Sequence, residues 1–184
     1  MRKILLRFLY YLLGKPFRTL LRLRFSRVPL QLHLGCGLIR KDGFINIDKN
    51  WSPAADMCGD VSNLFARDST VERIETYHVL EHIPFPKVGL VLSEWFRVLQ
   101  PGGVLVIECP DFDSDVKSYL NGEEEILFSI FGRHRYREDV HCWGYNERRL
   151  EKILRQSGFS TVRFSEPQER HATEEPCLRV EAVK

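Results

Sequence analysis

Leu32-His33-Leu34-Gly35-Cys36-Gly37, followed by Phe44-Ile45-Asn46-Ile47-Asp48, is the stretch that decides how this chain folds. An alternating apolar run (Leu30, Leu32, Leu34) breaks at two glycines, and a second β-branched run ends in a carboxylate eleven residues after Gly37. Glycines at the end of a strand let a ligand approach the backbone, because no Cβ stands in the way. A carboxylate closing the next strand can accept hydrogen bonds from both hydroxyls of a ribose. The pair implies a nucleoside-bearing cofactor.

Working outward from residue 30, strand and helix signals alternate, as expected of an α/β domain. Strands are predicted over 30–34, 44–47, 55–58, 73–78, 104–109, 161–165 and 178–183, and helices over 86–99 and 146–157. The first helix carries Val88, Val91, Leu92, Trp95, Phe96 and Leu99 at a near-3.6 period. The second ends at Gly158, a left-handed cap. Pro101-Gly102-Gly103 turns the chain into a continuous apolar strand. Residues 112–145 read as a long insertion with an acidic run, Glu123-Glu124-Glu125, and a basic-aromatic one, Arg133-His134-Arg135-Tyr136-Arg137. Loops of that length are commonly functional or disordered.

The 184 residues suffice for one domain with a real core, and 43% apolar with 28% charged residues is ordinary for a globular chain. Net charge is only +2, but residues 1–41 carry ten Lys/Arg and no acid, while the rest carries −8. That asymmetry predicts a basic arm over 1–28 ahead of a domain over 29–184. The run Ile4 to Leu13 is interrupted by Arg7 and falls short of the roughly twenty apolar residues that span a bilayer. No small-residue cleavage site follows, which argues against a signal peptide. Two readings of the arm stay open. It is an amphipathic helix lying on an anionic membrane surface, or a terminal helix packed on the domain's own sheet. Five widely spaced cysteines without a C-x-x-C argue for reduced thiols in the cytoplasm, and the linear sequence offers no metal-ligand cluster.

Gly35-Cys36-Gly37, Asp48, Asp60, Val79-Leu80-Glu81-His82, Arg97-Val98-Leu99-Gln100-Pro101-Gly102-Gly103 and Gly158-Phe159 occur in the order expected of class I S-adenosylmethionine-dependent methyltransferases. The resemblance covers residues 30–184 and is nearest to a short branch associated with glycan and cell-envelope biosynthesis. It implies a Rossmann-like α/β fold: a seven-stranded, mostly parallel sheet with the last strand antiparallel and S-adenosylmethionine across the strand ends. Two departures stand out. His33 occupies a position that is usually acidic in the family. Only Leu38 to Asp42 separate Gly37 from Gly43, where a parallel crossover normally takes a dozen residues or more. Either the first helix is abbreviated or the first two strands form a hairpin.

The resemblance assigns Leu34, Gly35, Cys36 and Gly37 to the floor under the methionyl-ribose, Asp48 to the ribose, Asp60 and Val61 to the adenine, and the His78 carbonyl to the cofactor's amino group. Asp60 reads equally well as the cap of a helix near Ser62. His82, Asp111 and His141 are the candidates to position or deprotonate an acceptor. Residues 112–145 form a lid over that acceptor, and Arg133, Arg135 and Arg137 suit a phosphate. The leading expectation is O-methylation of a sugar or glycolipid intermediate on the inner face of the cytoplasmic membrane. The alternatives are a methyltransferase-like scaffold without activity and a small-molecule methyltransferase away from membranes. A nicotinamide dehydrogenase would need a full first helix after its glycines. The acidic body argues against a nucleic-acid substrate.

Overall fold

A computed structural model of the chain describes Leu20, residues 28–168 and residues 175–184. β1 (Leu30–Leu34) pairs in parallel with β2 (Ile45–Asp48), matching Leu32 to Ile45 and Leu34 to Ile47. The hairpin alternative is therefore excluded. β3 (Met57–Cys58), β4 (Val71–Tyr77) and β5 (Leu99–Pro110) continue the parallel part. β7 (Cys177–Val183) runs antiparallel between β5 and β6 (Thr161–Ser165), giving the sheet order β3-β2-β1-β4-β5-β7-β6. This is the expected topology.

Strand parity sorts the residues onto two faces. Leu30, Leu32, Leu34, Ile45, Ile47, Ile74, Leu105, Ile107 and Val180 share one buried core with α1 (Phe85–Val98) and α4 (Glu147–Gln156). Those helices contribute Val88, Val91, Leu92 and Trp95, and Leu150 and Leu154. Both helices fall within a residue or two of the predicted spans, because each has one continuous apolar stripe.

The other face is polar although largely buried: His33, Asn46, Glu75, Glu108 and Arg179 lie there. Arg179 pairs with Glu108, and Arg73 with Glu75. This face explains how a parallel pair is joined without a crossover helix. No helix stands between β1 and β2, and the connecting strap is tied down by polar contacts instead. Arg40 donates to Asp56 at 2.9 Å and to the Ala54 carbonyl at 3.1 Å. The Lys41 ammonium pairs with Glu75 and donates to the Tyr77 hydroxyl at 2.9 Å, while its N–H donates to Asn46 Oδ1 at 2.8 Å. Burial alone would raise the Glu75 carboxyl, yet donors from Lys41, Tyr77 and Arg73 bring it down to about 2. It is a charged anchor, and losing one partner of such a buried pair is costly.

Two expectations need correcting. Residues 112–145 are not an irregular loop: they contain α2 (Phe112–Leu120), a 3-10 turn at Glu124–Ile126 and α3 (Leu127–Phe131). α2 buries only Asp115, so it shows no apolar stripe to read. Near Ser62 there is a turn, not a helix. The arm over 1–28 lies outside the described residues except for Val28 and for Leu20, which packs partly buried against the core. No helix among the described residues is long and apolar enough to cross a membrane.

Candidate active site

The glycine bend hooks over the end of β2. Gly35 and Gly37 have φ of +69° and +51°. The N–H groups of Gly35 and Cys36 donate to the Ile47 carbonyl at 2.8 and 3.3 Å. A Cβ on Gly35 would lie 2.1 Å from Val79 Cγ2, so glycine is required there by contact as well as by conformation. A Cβ on Gly37 would meet nothing within 4 Å. The bend is therefore closed beneath and open above.

Asp48 turns toward this bend. Its Oδ2 accepts the Gly37 N–H at 2.8 Å, and its Oδ1 accepts the Asn50 N–H at 2.8 Å. A carboxylate has about four lone-pair sites, so one on each oxygen is left for a diol. Asp60 accepts from both the N–H and the hydroxyl of Ser62, which hold its carboxyl below the usual value. The next carbonyl, of Val61, accepts the Trp95 indole N–H at 2.8 Å, which pins this loop to the core helix. Leu34 is wholly buried under the bend. The Cys36 thiol is pushed up to about 11 by burial, then by Asp48 and Asp56, so it is no nucleophile. His33, at the position that is usually acidic, is buried with Nδ1 2.9 Å from Asn46 Oδ1.

At the ends of β4 and β5 a second constellation forms. His78 has φ of +52°, and its N–H donates to the Glu108 carbonyl at 2.9 Å. Its side chain lies among Glu81 (3.3 Å), Glu175 (3.6 Å) and Cys177 (3.7 Å). Leu80–His82 is one 3-10 turn whose Glu81 carbonyl accepts the N–H groups of Cys142 and Trp143 at 2.7 and 3.2 Å. That docking brings His141 beside His82, with ring centroids 4.7 Å apart. A cleft here is lined by Glu81, Phe112, Asp115, Ser129, His141 and Trp143. Trp143 stacks on Phe85 at its edge, centroids 4.6 Å apart, with the Arg149 guanidinium 5.0 Å above the indole.

The fold therefore brings His82 and His141 together. Asp111 caps α2, accepting from the Asp113 N–H at 3.2 Å and the Ser114 hydroxyl at 2.6 Å. Arg135 is bonded to Asp139 at 2.8 Å rather than presented to an anion. Asp115 was not legible as a site residue. Its Oδ2 accepts the Ser129 hydroxyl at 2.8 Å, its Oδ1 is buried without a hydrogen bond, and burial pushes its carboxyl up to about 7. Glu81, which the sequence did not single out as a site residue, is buried in the cleft as deeply as Asp115. The carboxylate–histidine cluster that the linear sequence lacks is assembled here from Glu81, His82 and His141.

Comparison with known proteins bears on the fold. Residues 32–107 match the family model described as a methyltransferase domain. An S-adenosylmethionine-dependent methyltransferase of Archaeoglobus fulgidus superposes with a TM-score of 0.56 at 15% identity, over 97% of this chain and 99% of that one. One from Thermotoga maritima gives 0.54 at 14% identity, over 97% and 94%. An uncharacterized 37.1 kDa protein in transposon TN4556 of Streptomyces fradiae is 32% identical over 109 residues, 59% of this chain. The match spans only 30% of that longer relative. The family model covers residues 32–107, and the superpositions extend the likeness of fold over nearly the whole chain.

Proposed function

We propose that this chain transfers the methyl group of S-adenosylmethionine to a hydroxyl oxygen of a sugar or glycolipid intermediate. The observation that carries the cofactor half is the Asp48 carboxylate bonded to the Gly37 N–H, beside open space. These residues fit the group: Gly35 and Gly37 would form the floor, Asp48 would hold the ribose diol, Asp60 and Val61 would border the adenine, and the His78 carbonyl would take the amino group. When bound, the cofactor supplies an electrophilic sulfonium methyl.

The remaining work falls to the chain: to align an acceptor oxygen with that methyl, keep water out and accept a proton. Phe112 and Trp143 line the cleft with aromatic surface, as suits a pyranose ring. Asp115, held up by burial, is protonated below about pH 7 and can donate to an acceptor oxygen. Burial lowers His141 below the ordinary imidazole value, so it is neutral at pH 7. Its Nδ1 lies 2.6 Å from the Ser129 carbonyl, which leaves the Nε2 lone pair to accept a proton or, alternatively, to hold an ion.

The basic arm supports a peripheral place at an anionic membrane face, whereas Leu20 against the core favours an arm packed on the domain. Incubating the full chain with methyl-labelled cofactor and a bacterial lipid-linked glycan extract tests the reading. Label is expected in the organic-soluble fraction as an alkali-stable methyl ether. Label confined to RNA or protein would overturn the acceptor class, and cofactor binding without transfer to any fraction would favour a scaffold.

A further inference from the structure

We propose that Glu81, His82 and His141 form a site for a divalent first-row transition ion of the zinc class. Donors and acceptors do not balance at this cluster. Glu81 is 2% exposed, and neither of its carboxylate oxygens accepts a hydrogen bond. His78 Nδ1 lies 3.3 Å from Oε1, a charge contact without an aligned hydrogen bond. A buried carboxylate without donors is rare and calls for an ion or an ordered water.

The two histidines face the same problem. His82 Nδ1 lies 3.0 Å from the Val140 carbonyl, and His141 Nδ1 lies 2.6 Å from the Ser129 carbonyl. A carbonyl can only accept, so each Nδ1 carries the proton and each Nε2 keeps its lone pair. This is the arrangement that holds metal-binding imidazoles, whose second nitrogen donates to a backbone carbonyl or carboxylate. The ligand atoms of the three residues lie within 4.8 Å of one another. Tetrahedral bonds of about 2.1 Å would set them about 3.4 Å apart, so closure brings ligand atoms together by at most about 1.4 Å. A His2Glu set is a zinc-type donor set that leaves one position for a further ligand. Glu81 and His141 both line the acceptor cleft, so that position opens where the acceptor oxygen would sit. The site stands on this geometry; its part in methyl transfer rests on the function proposed above.

The test uses the full chain, stripped with chelator and titrated with Co2+ alone. One equivalent is expected, with the visible bands of a tetrahedral ion, displaced by Zn2+. His141→Ala and Glu81→Gln should each weaken binding at least 100-fold, while S-adenosylmethionine binding shows that each variant is folded. Cys177→Ser should leave the spectrum unchanged. No visible band in the intact chain would overturn the site. So would binding that survives both His82→Ala and His141→Ala. A thiolate charge-transfer band abolished by Cys177→Ser would place the ion at His78, Glu175 and Cys177 instead, and overturn it equally. Cobalt binding without S-adenosylmethionine binding would overturn the proposed function and leave the metal site standing; the converse would do the opposite.

Discussion

The proposed cofactor end takes its glycines and Asp48 from one stretch, residues 35–48, and its polar contacts there are made largely by backbone N–H groups. The proposed acceptor end gathers Glu81, Phe112, Asp115, Ser129, His141 and Trp143 from segments up to 62 residues apart, and presents side chains. In the first, conformation does the work: two residues with positive φ and one acid suffice. In the second, nothing local constrains a residue until the 3-10 turn at Leu80–His82 captures the Cys142 and Trp143 N–H groups. A site built on backbone geometry leaves a mark in the sequence, and one built by tertiary convergence does not.

The sharpest break in that comparison comes from the two glycines. Gly35→Ala combines a left-handed conformation, about 1–2 kcal/mol, with overlap on Val79, about 1–3 kcal/mol. For a chain this size each kcal/mol lowers the melting temperature by roughly 2–4 °C. Gly37→Ala should cost only the conformational part yet still weaken cofactor binding, because its open side is where the ligand sits. Thermal melts paired with cofactor titration distinguish the two. Equal losses in both variants would mean that Val79 does not matter.

At the other end, Asp115 should show the reverse behaviour, a functional-site group that destabilises. Its carboxyl is raised to about 7 in the folded chain against about 3.9 unfolded, so the folded state holds a proton the unfolded state has released. Stability should fall as pH rises from about 4 to 7 and stay reduced above that. Asp115→Asn removes the penalty. It should melt higher than the parent at pH 8, by a margin that shrinks toward pH 5. A margin independent of pH would show that Asp115 is not the titrating group.

The smallest effect is expected at the rim. Trp143→Ala removes the stack on Phe85 and the Arg149 contact, about 1 kcal/mol in all. It should leave S-adenosylmethionine affinity unchanged and raise KM for the acceptor several-fold. Equal damage to both affinities would erase the division between the two ends.

Legibility follows the same division. The strand Leu30–Leu34, the glycine bend and Asp48 were readable because alternation, a break and a carboxylate lie in sequence order. Helices with a full apolar stripe, α1 and α4, were readable too. α2 was not, since its one buried residue is an aspartate. The strap that replaces the first helix depends on Lys41 reaching Glu75 across 34 positions, and Glu81 meets His141 across sixty. No local period records such pairings. Asp111 reads two ways for a related reason: a carboxylate at a strand end also opens a helix, and here both its oxygens cap α2.

The central claim is that the bend at Gly35–Gly37 and Asp48 grip a nucleoside cofactor. Calorimetric titration of the full chain and of Asp48→Ala with S-adenosylmethionine tests it most directly. The account predicts one site in the parent, weakened at least tenfold in the variant, about 1.4 kcal/mol, with folding intact. Undiminished affinity in Asp48→Ala, or no heat in the parent, would contradict it.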